Sequence, residues 1–329
     1  MKAHARLVAL LIVISSTAWA GHNDYSTVAN APTRDEPARD LFRVDTSYVF
    51  SGVLEDYFGR RFPGLDREKQ DAFHGSFEYS HRFLVSGKIY LRAGIGYGRF
   101  DFHRSSALDS DQSIPYVFVS PTPVPEQLFS LNAVIGLEYM VGKDVGAFLY
   151  LYPGFYTEDH IGSSSFDMPI TVGRAFVLQE ERLFLILGAN AAGLRGEFPV
   201  LPIVGLIWKP SDQWNFFLVP PEPRVTYYPT KNFGIYVSGQ LTGGSFRTDR
   251  DPDEPGLGAS VPPQRFSNAQ VDYTEYRAGG GIELRYNDRI SMNLGGGYVF
   301  QRRFNFERAG DEFEADGAPY VRVGLKADF

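Results

Sequence analysis

Acids and bases recur two or four positions apart toward the C-terminus: Glu275 with Arg277, Glu283 with Arg285, Arg322 with Lys326. In an extended chain, residues i and i+2 share a face. Arg92 and Arg303 lie on similar alternating runs, as do Arg43, Asp45, Glu78, Arg82 and Glu138. Charges lined along one face do electrostatic work rather than bond-making. Rings of one sign bias a pore toward counter-ions, whereas mixed signs pair across strands and cancel. The last three expected strands lean basic, with Arg277, Arg285, Arg303, Arg322 and Lys326 against Glu275 and Glu283. That lean suits an anion-biased pore. Mutual pairing is the simpler alternative.

Bond-making chemistry has thinner support. Glu158, Asp159 and His160 precede Ser163, Ser164 and Ser165. A nucleophile needs a base within hydrogen-bond reach, itself oriented by a third group. A loop with a run of serines does not provide that. The His-x-Ser-Asn pattern of barrel lipases is absent. No histidines stand at metal-ligand spacing, and the acidic run Asp249, Asp251, Asp253, Glu254 has too many prolines for a regular calcium loop. Gly279, Gly280 and Gly281 precede no helix, so they do not read as a phosphate loop. The chain has no cysteine, which removes disulfides and thiolate chemistry. The expectation is no enzyme, no cofactor and no metal.

The elements that would carry the charges are strands. Apolar residues alternate with polar ones through 41–54, 73–83, 89–98 and 129–139. Further strands are expected at 145–157, 166–178, 183–193, 199–208, 213–219, 223–228, 233–247, 269–286, 290–306 and 318–329. Tight turns at 85–88, 141–144, 179–182, 209–212, 229–232 and 287–289 alternate with long connections, notably 55–71, 103–125 and 248–268. That makes about 14 antiparallel strands, or 12 if the short pair around Pro220 folds over a rim. Strands 145–157 and 199–208 are apolar on both faces, so something apolar should face them inside. Trp208, Trp214, Tyr139, Tyr227, Tyr286 and Phe329 cluster near tight turns or the C-terminus, as an aromatic girdle at a membrane interface would.

Residues 1–20 read as a signal peptide, with Lys2 and Arg6, an apolar run, and Ala18-Trp19-Ala20 at the cleavage point. Residues 21–40 read as a polar, flexible periplasmic lead-in, and 41–329 as the barrel. Nothing after residue 20 is apolar for long enough to cross a membrane as a helix. A net charge of −7 without a basic run argues against nucleic acid. With 34 Gly, 19 Tyr and 27 Phe, composition favours an all-β chain.

The final stretch, 317–329, ends in Val321, Val323, Leu325, Ala327 and Phe329 on one parity, with Arg322 and Lys326 on the other. It resembles the closing strand of bacterial outer-membrane β-barrels. A second resemblance rests on Pro202, Gly205, Leu206, Pro210, Ser211, Trp214, Pro221 and Pro223. These are similar to a recurring pattern in a family of porin-like outer-membrane barrels whose role is not established. The resemblance implies an antiparallel transmembrane up-and-down β-barrel in the outer membrane. Its partners would be membrane lipid and, through the strand ending in Phe329, the barrel-assembly machinery. The functions to weigh are a passive narrow pore for small solutes, a closed structural or adhesive barrel acting through its loops, and a rim hydrolase.

Overall fold

The computed structural model describes residues 39–56, 68–106, 124–141, 144–180, 182–196, 198–250, 266–287 and 289–329. The expected signal peptide and most of the lead-in lie outside these residues, as do the central parts of connections 55–71, 103–125 and 248–268. The described chain forms one closed antiparallel barrel of 14 strands. In order they are β1 (Asp40–Asp56), β2 (Glu68–Ser86), β3 (Ile89–Ser106), β4 (Gln127–Val141), β5 (Asp144–Leu151, resuming as Gly154–Thr157) and β6 (Phe166–Asp167, resuming as Ile170–Gln179). Then come β7 (Leu183–Ala191), β8 (Val200–Ser211), β9 (Trp214–Leu218), β10 (Arg224–Thr230), β11 (Phe233–Arg247), β12 (Gln270–Arg285), β13 (Ile290–Phe306) and β14 (Asp311–Ala315, resuming as Ala318–Asp328). The short pair β9 and β10 stays in the wall, so the count is 14 rather than 12.

Closure comes from β1, which pairs with β2 on one edge and β14 on the other, from Leu41↔Asp328 to Val49↔Tyr320. Both described ends of the chain meet there: Arg39 and Asp40 donate backbone N–H groups to the Phe329 carbonyl. That end also carries the tight turns. Short turns mark the periplasmic side of outer-membrane barrels; it is called the turn end below, and the opposite one the loop end.

The period-two pattern sorts side chains as expected. Along β4, Leu128, Ser130, Asn132, Val134, Glu138 and Met140 are buried, while Leu131, Ile135, Leu137, Tyr139 and Val141 are exposed. Exposed apolar residues recur around the wall, as an outward face toward lipid requires. Trp208, Trp214 and Tyr139 are on that face at the turn end. Trp214 packs at a tilt against Tyr227 with centroids 4.9 Å apart. Tyr286 and Phe329 are exposed in the same region.

Three local departures shape the lumen. At Tyr152 and Pro153, β5 breaks. It pairs with β6 on both sides of the break, through Gly154↔Asp167 and Phe155↔Phe166 above it; higher still, Thr157 meets Arg247 of β11 in a parallel pair, and Glu158 N–H donates to the Arg247 carbonyl. Among the described strands, β5 and β11 therefore adjoin at the loop end, β6–β10 stop short of that seam, and the β7–β8 connection adds Leu194 to the interior there. Second, the β9–β10 tip folds inward. Val219 is fully buried where a Cβ on Gly205 of β8 would meet it, and Glu222 reaches Arg322 on β14. This tip helps to cover the apolar inner face of β8 expected from sequence. Third, an extra residue at Phe300 shifts the β12–β13 register, where Arg277 pairs with Val299 and Tyr276 with Gln301.

Glycine on facing strands makes room for two tyrosines. A Cβ on Gly281 would fall on the Leu294 carbonyl and 2.8 Å from the Tyr236 hydroxyl. One on Gly279 would lie 2.6 Å from the Tyr320 hydroxyl. Gly281→Ala should destabilise the detergent-folded barrel by about 1–3 kcal/mol, as an overpacked site does, and so lower its denaturant midpoint. An unchanged midpoint would mean that these strands have slack.

Candidate functional site: the barrel lumen

The inward parity carries charge in discrete sets, each centred on a carboxylate. Glu138 accepts from Arg82 Nε at 2.6 Å, Arg92 Nε at 2.8 Å and the Tyr150 hydroxyl at 2.6 Å. Arg92 also donates to Ser80 Oγ at 2.9 Å. Glu283 accepts from Arg224 at 2.9 Å, Arg285 at 2.7 Å and the Tyr228 hydroxyl at 2.9 Å. Glu275 accepts from Arg277 at 2.5 Å and from the Tyr273 hydroxyl, and Arg277 turns a second arm to Ser47. Asp45 takes Arg322 in a fork at 2.7 and 3.0 Å, while the other arm of Arg322 reaches Glu222 at 2.8 Å. Lys326 sits 3.2 Å from Asp328.

A buried charge costs several kcal/mol unless paired and hydrogen-bonded. These carboxylates meet that condition with an arginine and, three times, a tyrosine hydroxyl. The structure thus brings Arg92, Glu275, Arg277, Glu283, Arg285, Arg322 and Lys326 to the lumen, but in pairs spread over several heights rather than one ring of like charge. Arg303 is elsewhere. The register shift at Phe300 exchanges parity, so Arg302 points inward, fully buried, and donates to the Gln70 carbonyl. Arg303 bonds Glu312 instead. Nothing local in Gln301-Arg302-Arg303 distinguishes the two arginines. Tyr150, Tyr228 and Tyr273 escaped the sequence reading as carboxylate partners. Only the Tyr273-x-Glu275-x-Arg277 spacing on one strand face would have indicated one of them.

Apolar side chains fill much of the rest. In the loop-end half, Phe100, Phe102, Phe246, Tyr273, Phe304, Phe306 and Phe313 belong to one buried cluster. Phe102 is 4.9 Å from both Tyr273 and Phe304, centroid to centroid, and His74 stacks on Phe100 at 4.4 Å. A second cluster, including Phe148, Tyr150, Ile186, Ile203, Ile207 and Val219, lines the β4–β9 side. Below the first cluster lies a vestibule of about 890 Å³, reaching from the turn-end residues Lys231 and Arg289 up to Phe100 and Phe246.

At the loop end, His160 Nδ1 lies 2.5 Å from Asp249 Oδ2, and Asp249 also accepts from the His160 backbone N–H. Asp159 is close enough that one ligand-type atom from each of the three lies within 4.8 Å of the others. Asp249 is 89 residues from His160, so spacing in sequence could not reveal this group. Ser165 Oγ hydrogen-bonds within its own turn, to the Gly162 carbonyl at 2.9 Å. Hydrogen bonding to Asp249 and its charge raise the His160 pKa above the usual imidazole value, and burial raises that of the Glu158 carboxyl.

No protein-family model and no curated protein sequence matches the chain. Among solved structures, it is similar to an outer-membrane channel from Pseudomonas putida F1, at 12% identity over 91% of this chain and 99% of that one, with a TM-score of 0.42. It is also similar to a mutant of the monoaromatic hydrocarbon channel TodX, at 11% identity over 96% of each chain and a TM-score of 0.45. The translocator domain of the autotransporter NalP from Neisseria meningitidis overlaps at 9% identity over 92% and 93%, with a TM-score of 0.35. The barrel architecture of this chain rests on its own strand pairing.

Two outcomes are expected here. Glu138→Leu removes the carboxylate that accepts from both Arg82 and Arg92 and should destabilise the barrel by about 3–5 kcal/mol, the usual effect of removing one partner of a buried pair; chemical denaturation in detergent reads it. By NMR, His160 should titrate above the ordinary imidazole value, and Asp249→Asn should lower it, with the charges of Asp159 and Glu158 still acting on it. The pair's stabilisation is complete below the free imidazole pKa and fades as pH rises through the raised one.

Proposed function

We propose that the chain is a bacterial outer-membrane β-barrel that rests closed: a vestibule faces the periplasm, and a packed aromatic septum separates it from the outside. The observation that carries this reading is the cluster from Phe100 to Phe313, which fills the loop-end lumen at van der Waals packing. An ion would have to part stacked rings to cross it, and dry apolar constrictions hold water and ions back. The same packing favours the closed reading over a permanently open passive pore. The expected signal peptide fits export to that membrane, and the exposed apolar wall fits insertion in lipid.

The vestibule leaves room for a gated variant, in which this septum is the barrier that the described residues place between the two mouths. The seam between Thr157 and Arg247 is where its enclosing wall is held by least. One backbone pair joins β5 to β11 there, supplemented by the contacts of Glu158 and His160 with Asp249.

Planar-bilayer recording of the refolded protein tests this. The wild type should be silent. Phe100→Ala, Tyr273→Ala and Phe304→Ala combined should give stepwise current, since their removal empties the septum where the vestibule ends. Stepwise current from the wild type would replace the closed reading with an open pore.

A further inference from the structure

Ion pairing does not reach every charge that lines the vestibule. Among the described residues, eight lysine or arginine side chains line it against six aspartate or glutamate. Deep in the cavity the acids are matched: Arg322 bonds Asp45 and Glu222, while Arg224 and Arg285 bond Glu283. Lys326 sits beside Asp328. The mouth differs. Lys231 and Arg289 line it, are exposed to solvent, and enter no ion pair among the described residues. Of the acids that line the cavity, Asp212 alone shares that condition among the described residues. Pairing therefore leaves the basic surplus at the turn end, where a solute can reach it.

The backbone holds both cations in place. Lys231 belongs to the turn between β10 and β11, and Arg289 to the turn between β12 and β13. Arg285 N–H donates to the Asn232 carbonyl at 2.8 Å, which ties the two turns together. Arg289 donates its own N–H to Asn287 Oδ1 at 2.8 Å, and its carbonyl accepts from Asp328 N–H at 2.7 Å. Turns on alternate strand pairs stand roughly 10 Å apart, two strand spacings. An anion with two or more separated acidic groups meets both side chains at once across that gap. Apolar walls around a charged cleft focus its field and concentrate counter-ions in it. Neutral solutes gain nothing from that field, and cations are repelled by it. The volume of about 890 Å³ admits a small organic ion, since ligand pockets run ~300–1,000 Å³.

We propose that the turn-end mouth of the vestibule binds a small organic polyanion, of the size and charge of a di- or tricarboxylate, between Lys231 and Arg289. The site opens at the turn end and does not depend on whether the septum is closed.

Isothermal titration of the refolded full-length barrel in a non-ionic detergent at low ionic strength reads it, with citrate as the probe and acetate and sucrose as controls. Citrate should give a saturable signal that disappears at ~1 M salt, where the Debye length is about 3 Å. Acetate, with one carboxylate, and sucrose, with none, should be silent. Lys231→Gln combined with Arg289→Gln should weaken citrate binding about tenfold, the effect of losing two exposed charge pairs. Asp212→Asn should act in the opposite direction and tighten it about twofold, a change that misfolding does not imitate. All three positions are exposed, and heat-modifiable gel migration confirms that each variant is folded. Silence with citrate at low salt overturns the proposal. So does citrate binding that the folded double variant leaves unchanged or that Asp212→Asn weakens, and so does acetate binding as tight as that of citrate. A bilayer current tests the septum and leaves this site untouched, so failure of the closed-barrel reading and failure of this one are read separately.

Discussion

In hydrocarbon there is no water to satisfy a peptide group, so every N–H and C=O in the membrane must find its partner within the sheet. For this chain that requirement falls on β1, whose two edges are claimed by β2 and by the last strand. The backbone bonds between Phe329 and the Arg39–Asp40 step complete the same ladder at its base. Once the ring is closed, parity leaves no freedom: what does not face lipid must face the lumen. All of the interior chemistry is a consequence of that sorting.

Closure creates a second demand, because the inward face inherits many ionisable groups. The buried carboxylates Asp45, Glu138, Glu275 and Glu283 are accommodated by local neutralisation rather than by bulk water. Glu138 and Glu283 are bracketed by two arginines and a tyrosine, and Glu275 by one of each. Tyrosine suits the task because its ring belongs to the apolar filling and its hydroxyl to the carboxylate. Tyr273 does both at once, packing edge-on against Phe102 and at a tilt against Phe304 while bonding Glu275. The septum and the charge sets are therefore one fabric, and opening the first disturbs the second.

The strands were legible in sequence because period-two alternation and turn chemistry are local. Each of 41–54, 89–98 and 233–247 announces itself in about ten residues, and Val85 to Lys88 needs only its glycine. The same reasoning put Arg322 and Arg277 on the inner face. It did not reach features joining distant segments. The Thr157–Arg247 seam links positions 90 apart, and Glu222 crosses 100 residues to Arg322. Arg303 shows a subtler limit. Alternation holds on both sides of Phe300, but one extra residue reverses it between them, and two adjacent arginines exchange places.

The two ends of the lumen follow from where the wall changes girth. At the turn end all the strands take part and the interior is too wide for side chains to fill, so paired charges and neutral amides line a cavity. Toward the loop end β5 crosses to β11 beyond the end of β6, and inward side chains from opposite walls come within contact distance. Aromatic residues then close the space, because large rings fill a narrow bore with the fewest residues and bury the most surface in doing so. Break the β5–β11 seam and the loop end could widen toward the girth of the turn end, leaving the same rings too short to meet. Whether the lumen is sealed is thus decided less by the aromatic residues than by the backbone contact that holds them within reach of one another.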